Sequence, residues 1–472
     1  MLRRTLLCSG LSAALALPLL VSCSSSENGG VEMGAGGGAN AGTSSGTAAG
    51  ATAPTAGKSA VGGGGAGVAG MIGSGGVTGV GGAVGTAGTG VAGSFVGGGT
   101  GGGAAVPPLD CGKSGTALEN HGPPGNRLNY VIVADGYSAQ ELEPGGTLDK
   151  HMDAMLAKRF SDPIGQPYLR YRNFINICVL RIPSTPICGS SEFGCCGNDQ
   201  SRLANCDTQA VNSAITANLP ASFEVDWRSV VLNGSSWWNS GGVVMMWSGG
   251  NKDAGGAATH EGGHGHNFIS DEYGNCEQGR VSSQATYGVN VSLTDESSKD
   301  KWDGWLGFDQ TPGTGMQDFF ACDGGQTWRP TDNSMMNSLF GTNVNTSYNA
   351  VSREKIIMDI WRVVMTPYDS VDPAAGPVTN PTTLTVNVID PKVISVDWSV
   401  DGNVVAMNGG PSYAIGSAKL APGTHMVTAR AYDNAGKDLV RQVPGTTFNR
   451  QYWGAGAMGH SDKTVTWTVT IQ

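Results

Sequence analysis

Residues 259–273 read Thr-His-Glu-Gly-Gly-His-Gly-His-Asn-Phe-Ile-Ser-Asp-Glu-Tyr, and the rest of the chain is read outward from them. His260, Glu261 and His264 form H-E-x-x-H, which on a helix aims two imidazoles at one metal and sets a carboxylate beside it. Residues four apart turn through about 400°, so His260 and His264 lie nearly above one another. Glu261 sits about 100° round, badly placed to share the metal but within reach of a water on it. Zinc lowers the pKa of a water it binds to about 7, and a neighbouring carboxylate can then take the proton. The chain has 7 histidines, and His260, His264 and His266 fall within two helical turns, which weighs against accident.

The segment after His264 must complete such a site, because zinc with one position left for water needs a third protein ligand. In metzincin-type sites, H-E-x-x-H-x-x-G-x-x-H, the helix turns sharply after the second His and the loop beyond supplies it. Asn267 stands at the position of the turning Gly, and Asn is the next-best residue for a left-handed conformation. Ser270, at the usual ligand position, is a poor zinc ligand. Asp271 is the expected third ligand and Glu272 the alternative. Tyr273 is a candidate hydrogen-bond donor or outer partner, as is Glu272. His266, about 200° round from His264, is expected to face elsewhere, at the surface or behind the ligands.

H-E-x-G-H followed by Asp271-Glu272-Tyr273 resembles the immunoglobulin-A-peptidase-type zinc metallopeptidase family, a metzincin-like group. Three other blocks are similar to that family: Asn126 to Tyr137 (NRLNYVIVADGY), Tyr171 to Asn176 (YRNFIN) and Arg329 to Met336 (RPTDNSMM). The likeness runs over residues 120–366. It implies a metzincin-like catalytic domain, one catalytic zinc ion, peptide-bond hydrolysis with Glu261 as general base, and Met336 in a Met-turn beneath the metal. The chain departs from the pattern in its glycine-rich helix at Gly262 and Gly263, and in Asn337 where a basic residue is expected.

Upstream, Arg3 and Arg4 precede an apolar run too short to span a bilayer, as in an export signal. The run ends Leu-Val-Ser-Cys23, which resembles a bacterial lipobox. The expectation is a lipoprotein signal over residues 1–22, a lipid on Cys23, and anchoring in the cell envelope. Residues 23–108 are dominated by glycine and small residues that cannot bury enough apolar area to offset chain entropy, so a disordered tether is expected. The formal charge is −10 with 14% charged residues and no basic cluster, which argues against nucleic-acid binding.

Leu128 to Ala134, Phe174 to Ile182, residues 222–231 and Gly242 to Trp247 read as strands, and residues 147–160 and Val351 to Val364 as helices. Their order suggests an α/β (α+β) catalytic domain over 109–372, with the zinc helix against the sheet. Of 10 cysteines, Cys8 leaves with the signal. Cys188, Cys195, Cys196 and Cys206 crowd one loop while Cys111, Cys178, Cys276 and Cys322 are spread out. An even number in an exported chain favours disulfides over a second zinc site. Residues 373–382 read as a linker. Alternation over 377–472 then predicts an all-β immunoglobulin-like sandwich, a binding or spacer module. The expected whole is an exported, lipid-anchored zinc endopeptidase acting on proteins or peptides. Its rival is a surface adhesin with a structural metal.

Overall fold

Leu128–Asp135 (β2) is buried at every position, as a strand covered on both faces must be, and it lies inside the main sheet. The computed structural model describes residues 107–161, 163–274, 276, 288–292, 302, 305, 320–322, 327–331, 333–337, 347–441 and 460–472. The export signal, Cys8, Cys23, Asp332 and all but the last two residues of the expected tether lie outside the described residues.

Around β2 the sheet is built from Gly115–Glu119 (β1), Ile175–Leu180 (β3), Trp227–Leu232 (β4), Asn239–Ser240 (β5) and Met245–Ser248 (β6), in the order β1-β3-β2-β4-β6-β5. The four inner strands run parallel and the two edge strands antiparallel. Successive residues of β2 face opposite layers. Val131 and Val133 pack with Val211 and Ile215 of helix α2 (Thr208–Asn218), whose first turn is capped by the Asp207 carboxylate. Tyr130, Ile132 and Ala134 face the layer holding α1 (Thr147–Arg159) and α3 (Ala254–Asn267). Helix α1 turns Leu148, Met152 and Met155 inward at helical spacing. Helix α4 (Ala350–Val363) is started by Asn349, which accepts the Ser352 N–H, and it is enclosed nearly all round.

The C-terminal strands form two packed sheets. One has the order β7-β9-β12, from Tyr368–Asp372 (β7), Thr383–Val388 (β9) and Ser412–Ala414 (β12). The other has the order β8-β14-β13-β10-β11, from Gly376–Thr379 (β8), Ile394–Val400 (β10), Asn403–Ala406 (β11), Gly423–Asp433 (β13) and Asp462–Ile471 (β14). Their alternating residues meet between the sheets, where Trp398 and Trp467 stack at 5.8 Å. The linker expected over 373–382 contains a strand, Gly376–Thr379. Gly376–Thr379 pairs in parallel with β14, and Tyr368–Asp372, placed in the catalytic domain by the sequence reading, pairs with β9. Proline and glycine mark the bend between them, and the flanking residues still complete the ladders.

Nor is the sandwich a loosely hung module. The Asp433 carboxylate accepts from Tyr171 Oη at 2.6 Å, Trp361 Nε1 at 2.8 Å and Arg170 at 3.1 Å. Asn173 reaches Asp390 at 2.9 Å, and Arg127 pairs with Asp369 through both carboxylate oxygens at 2.7 Å. The cysteines form Cys111–Cys178, Cys188–Cys196, Cys195–Cys206 and Cys276–Cys322, so the crowded four close one loop on itself. Four disulfides fit an exported protein. Among the described residues no helix is long and apolar enough to cross a membrane.

Candidate metal centre

Helix α3 carries five glycines in fourteen residues, a composition that intrinsic propensity disfavours. Packing explains it. A Cβ on Gly255 would stand 2.6 Å from the Ala154 carbonyl oxygen, and one on Gly262 3.0 Å from the Arg159 guanidinium. A Cβ on Gly263 would stand 2.7 Å from Met336 Sδ. The glycines let α3 sink between α1 and the Met335-Met336 turn.

The helix ends at Asn267, and the left-handed residue is Phe268 (φ 54°, ψ 41°), not Asn267 as the sequence suggests. Asn267 is buried and spends its amide elsewhere. It accepts from Tyr168 Oη at 2.7 Å and donates to Asp359 of α4 at 3.0 Å. The side chain of Phe268 points to solvent, 66% exposed, which is why a bulky residue can occupy the turn. After the turn the Ile269 N–H returns to the Gly263 carbonyl at 2.9 Å, and the chain runs back beneath the helix.

That return places Asp271 between the two histidines. Its Oδ1 lies 3.1 Å from His260 Nε2 and 3.0 Å from His264 Nε2. The far ring nitrogens are already committed. His260 Nδ1–H donates to the Met335 carbonyl at 2.9 Å, and His264 Nδ1–H to the Ile269 carbonyl at 2.6 Å. A neutral imidazole carrying its proton on Nδ1 presents a lone pair at Nε2. Two lone pairs and a carboxylate oxygen therefore converge, an arrangement that is favourable only with a cation between them, proton or metal. The three donor atoms lie within 4.8 Å of one another, and as two imidazoles and a carboxylate they match a catalytic zinc set. Backbone carbonyls orient both rings, as outer partners of metal-bound histidines do.

Without a metal the same geometry shifts protons. Burial alone would raise the Asp271 carboxyl, but the two imidazoles outweigh it and hold the group well below the usual carboxylate range. Burial would lower His264, whereas Asp271 and then Glu261 push it up to about 9. Glu261 is raised, chiefly by burial, with the histidines opposing and Asp271 adding. The Gly241 N–H, just beyond edge strand β5, points at its carboxylate.

Glu272 lies elsewhere. It is fully buried, and both oxygens are spent: Oε1 accepts from Asn290 and Asn349 at 2.7 Å each, Oε2 from Ser334 at 2.5 Å. Burial outweighs these bonds and pushes its carboxyl up to about 7. Tyr273 stacks beside His260, ring centres 6.3 Å apart. Met336 lies under Gly263, and its N–H and that of Asn337 close a turn on Ser334 Oγ at 3.1 and 3.2 Å. His266 faces away from the donors, but it is buried at 4% exposure rather than at the surface. It stacks on Trp227 at 4.6 Å and meets Arg159 at 3.2 Å, and burial followed by that guanidinium holds it well below its ordinary pKa. Sequence reasoning missed Asn290, Asn349 and Arg159, which no spacing rule connects to residues 260–273.

No protein-family profile matches the chain, and no curated protein is similar to it. Solved structures with some likeness include fibronectin(III)-like modules of Clostridium thermocellum CbhA. That match has 18% identity and a TM-score of 0.13, covering 22% of this chain and 95% of that one. Another is the endo-beta-1,4-mannanase from Thermotoga petrophila. It has 12% identity and a TM-score of 0.14, covering 53% of this chain and 49% of that one. Likenesses this slight carry no argument about the chain.

Proposed function

We propose that the chain is an exported zinc-dependent endopeptidase, held in the cell envelope by a lipid on Cys23, that hydrolyses peptide bonds of extracellular proteins. The observation that carries the reading is the convergence of His260 Nε2, His264 Nε2 and Asp271 Oδ1 on one point, with both Nδ1 atoms already bonded. These three residues would hold one zinc ion, which supplies Lewis acidity for a carbonyl and a water in the remaining position. Glu261 stands one helical step from His260, free of the ligand set. It takes the proton from the attacking water and returns it to the departing amine. A carboxyl raised by burial suits both halves of that task. A purely structural site would be closed by a fourth protein ligand, whereas among the described residues the donor group has three members.

Glu261→Gln keeps the size of the side chain but cannot accept a proton. In the full chain it should retain zinc and lose about 10² to 10⁴ in the rate of cleaving a diverse peptide library. A strong chelator should stop the wild type. Undiminished cleavage by the variant would remove Glu261 from the role. A wild type that binds zinc, cuts no peptide and recognises a cell surface would make the chain an adhesin.

A further inference from the structure

Asp271 lies outside helix and strand, in the loop between Ile269 and Tyr273. Side-chain and main-chain bonds hold this loop on either side of Asp271. On one side, the Asn290 amide grips both main-chain groups of Ser270: Oδ1 accepts the Ser270 N–H at 2.9 Å and Nδ2 donates to the Ser270 carbonyl at 2.8 Å. On the other side, the Glu272 N–H donates to the Met336 carbonyl at 2.8 Å, and the Glu272 carbonyl accepts from Arg329 at 3.0 Å. The same Asn290 Nδ2 also donates to Glu272 Oε1, so a single side chain ties together the residues before and after Asp271. Asn349, at the start of α4, and Ser334, in the Met336 turn, anchor the other lone pairs of Glu272. Asn290, Glu272, Ser334 and Asn349 are each at or below 1% exposure.

We propose that Asn290 and Glu272 form one positioning device, which fixes Asp271 against His260 and His264 and so sets the affinity of the site for its metal. The inference rests on the metal reading above. The device joins the third ligand to the turn carrying Met335, whose carbonyl orients His260, so ligand and ring orientation are set by one buried network. Neither residue touches the metal position. Each acts through the backbone it holds.

The test is the equilibrium zinc affinity of the full chain, by competition with a chelator, beside the thermal midpoint of the zinc-free protein. Asn290→Ala frees Ser270 and should weaken zinc binding about 10- to 100-fold per folded molecule, the effect usual for lost outer partners. Glu272→Ala removes the acceptor shared by Asn290, Asn349 and Ser334 and should weaken zinc binding to a similar degree; affinity within about threefold of the wild type in a folded variant would overturn the proposal. If Asn290→Ala melts lower but binds zinc as the wild type does, the network is structural only and the proposal is overturned. Should Asn290→Ala fail to fold, Ser334→Ala removes one of the three bonds to Glu272. A weakening beyond about threefold then supports the device, and unchanged affinity overturns it. A wild type that binds no zinc would remove the metal reading itself. An unaffected Asn290→Ala in a zinc-binding protein would remove only the device.

Discussion

The substitution Gly263→Ala sets a methyl group where α3 crosses the Met336 turn. Its Cβ would stand 2.7 Å from Met336 Sδ and 3.2 Å from both Met336 Cε and Tyr348 Cε1. Relaxed contacts between such atoms lie near 3.5–4.0 Å, so the sulfur must retreat by about 1 Å. Neither neighbour moves freely. Tyr348 Oη is bonded to the Thr259 carbonyl, and the backbone of Met336 is held on both sides, through Ser334 and Glu272. Overpacking of this kind costs about 1–3 kcal/mol, set against about 1 kcal/mol gained in helix propensity. At Gly256, in the first turn of the same helix, an added Cβ meets nothing within 4 Å. Gly256→Ala should therefore stabilise by about 0.5–1 kcal/mol. Because the propensity gain is nearly common to both, the gap between the variants isolates the packing cost, about 1–3 kcal/mol. Denaturant unfolding of the two zinc-free variants measures it. Equal stability of Gly263→Ala and Gly256→Ala would refute the close crossing of helix and turn.

Two further outcomes concern the frame. Asp226 accepts the Asn129 N–H at 2.8 Å, and burial pushes its carboxyl up to about 6 from 3.8. A raised folded pKa means the folded state holds the proton more tightly, so stability falls as pH rises from about 4 to about 6. Asp226→Asn should flatten that slope and raise the thermal midpoint at pH 7.5 by about 2 °C, with little change at pH 4; a lower midpoint at both pH values would contradict it. Asp433→Ala strands the Tyr171 hydroxyl and the Trp361 indole N–H between the α/β part of the chain and the sandwich, and should cost about 2–4 kcal/mol in unfolding free energy; a change under about 0.5 kcal/mol would make that joint incidental.

Much of the frame was legible because it rests on local pattern. The unbroken apolar run of β2, the spacing of Leu148, Met152 and Met155, and the alternation in β9, β10, β13 and β14 each mark a face that must be buried. The spacing of His260 and His264 likewise puts two rings on one helical face. The rest depended on long-range partners. Asn267 and Phe268 are both conceivable left-handed residues until Tyr168 and Asp359 claim the asparagine amide. Asp271 and Glu272 are adjacent carboxylates, and one residue of register decides which faces the rings. The register is set by Met336, Asn290 and Asn349, residues up to 77 positions away. Helical geometry gives the direction of His266 but not what covers it, so its burial against Trp227 and Arg159 is not legible from spacing. Residues 373–382 read as a linker because proline and glycine outweighed a short strand whose partner, β14, lies at the other end of the sandwich.

The decisive measurement is the metal content of the full chain after gel filtration in zinc-free buffer. About one zinc per chain is expected in the wild type and in Glu261→Gln, and almost none in His264→Ala or Asp271→Ala, because three donors converge and removing any one opens the site. A wild type without zinc, or an Asp271→Ala variant as fully loaded as the wild type, would contradict that expectation.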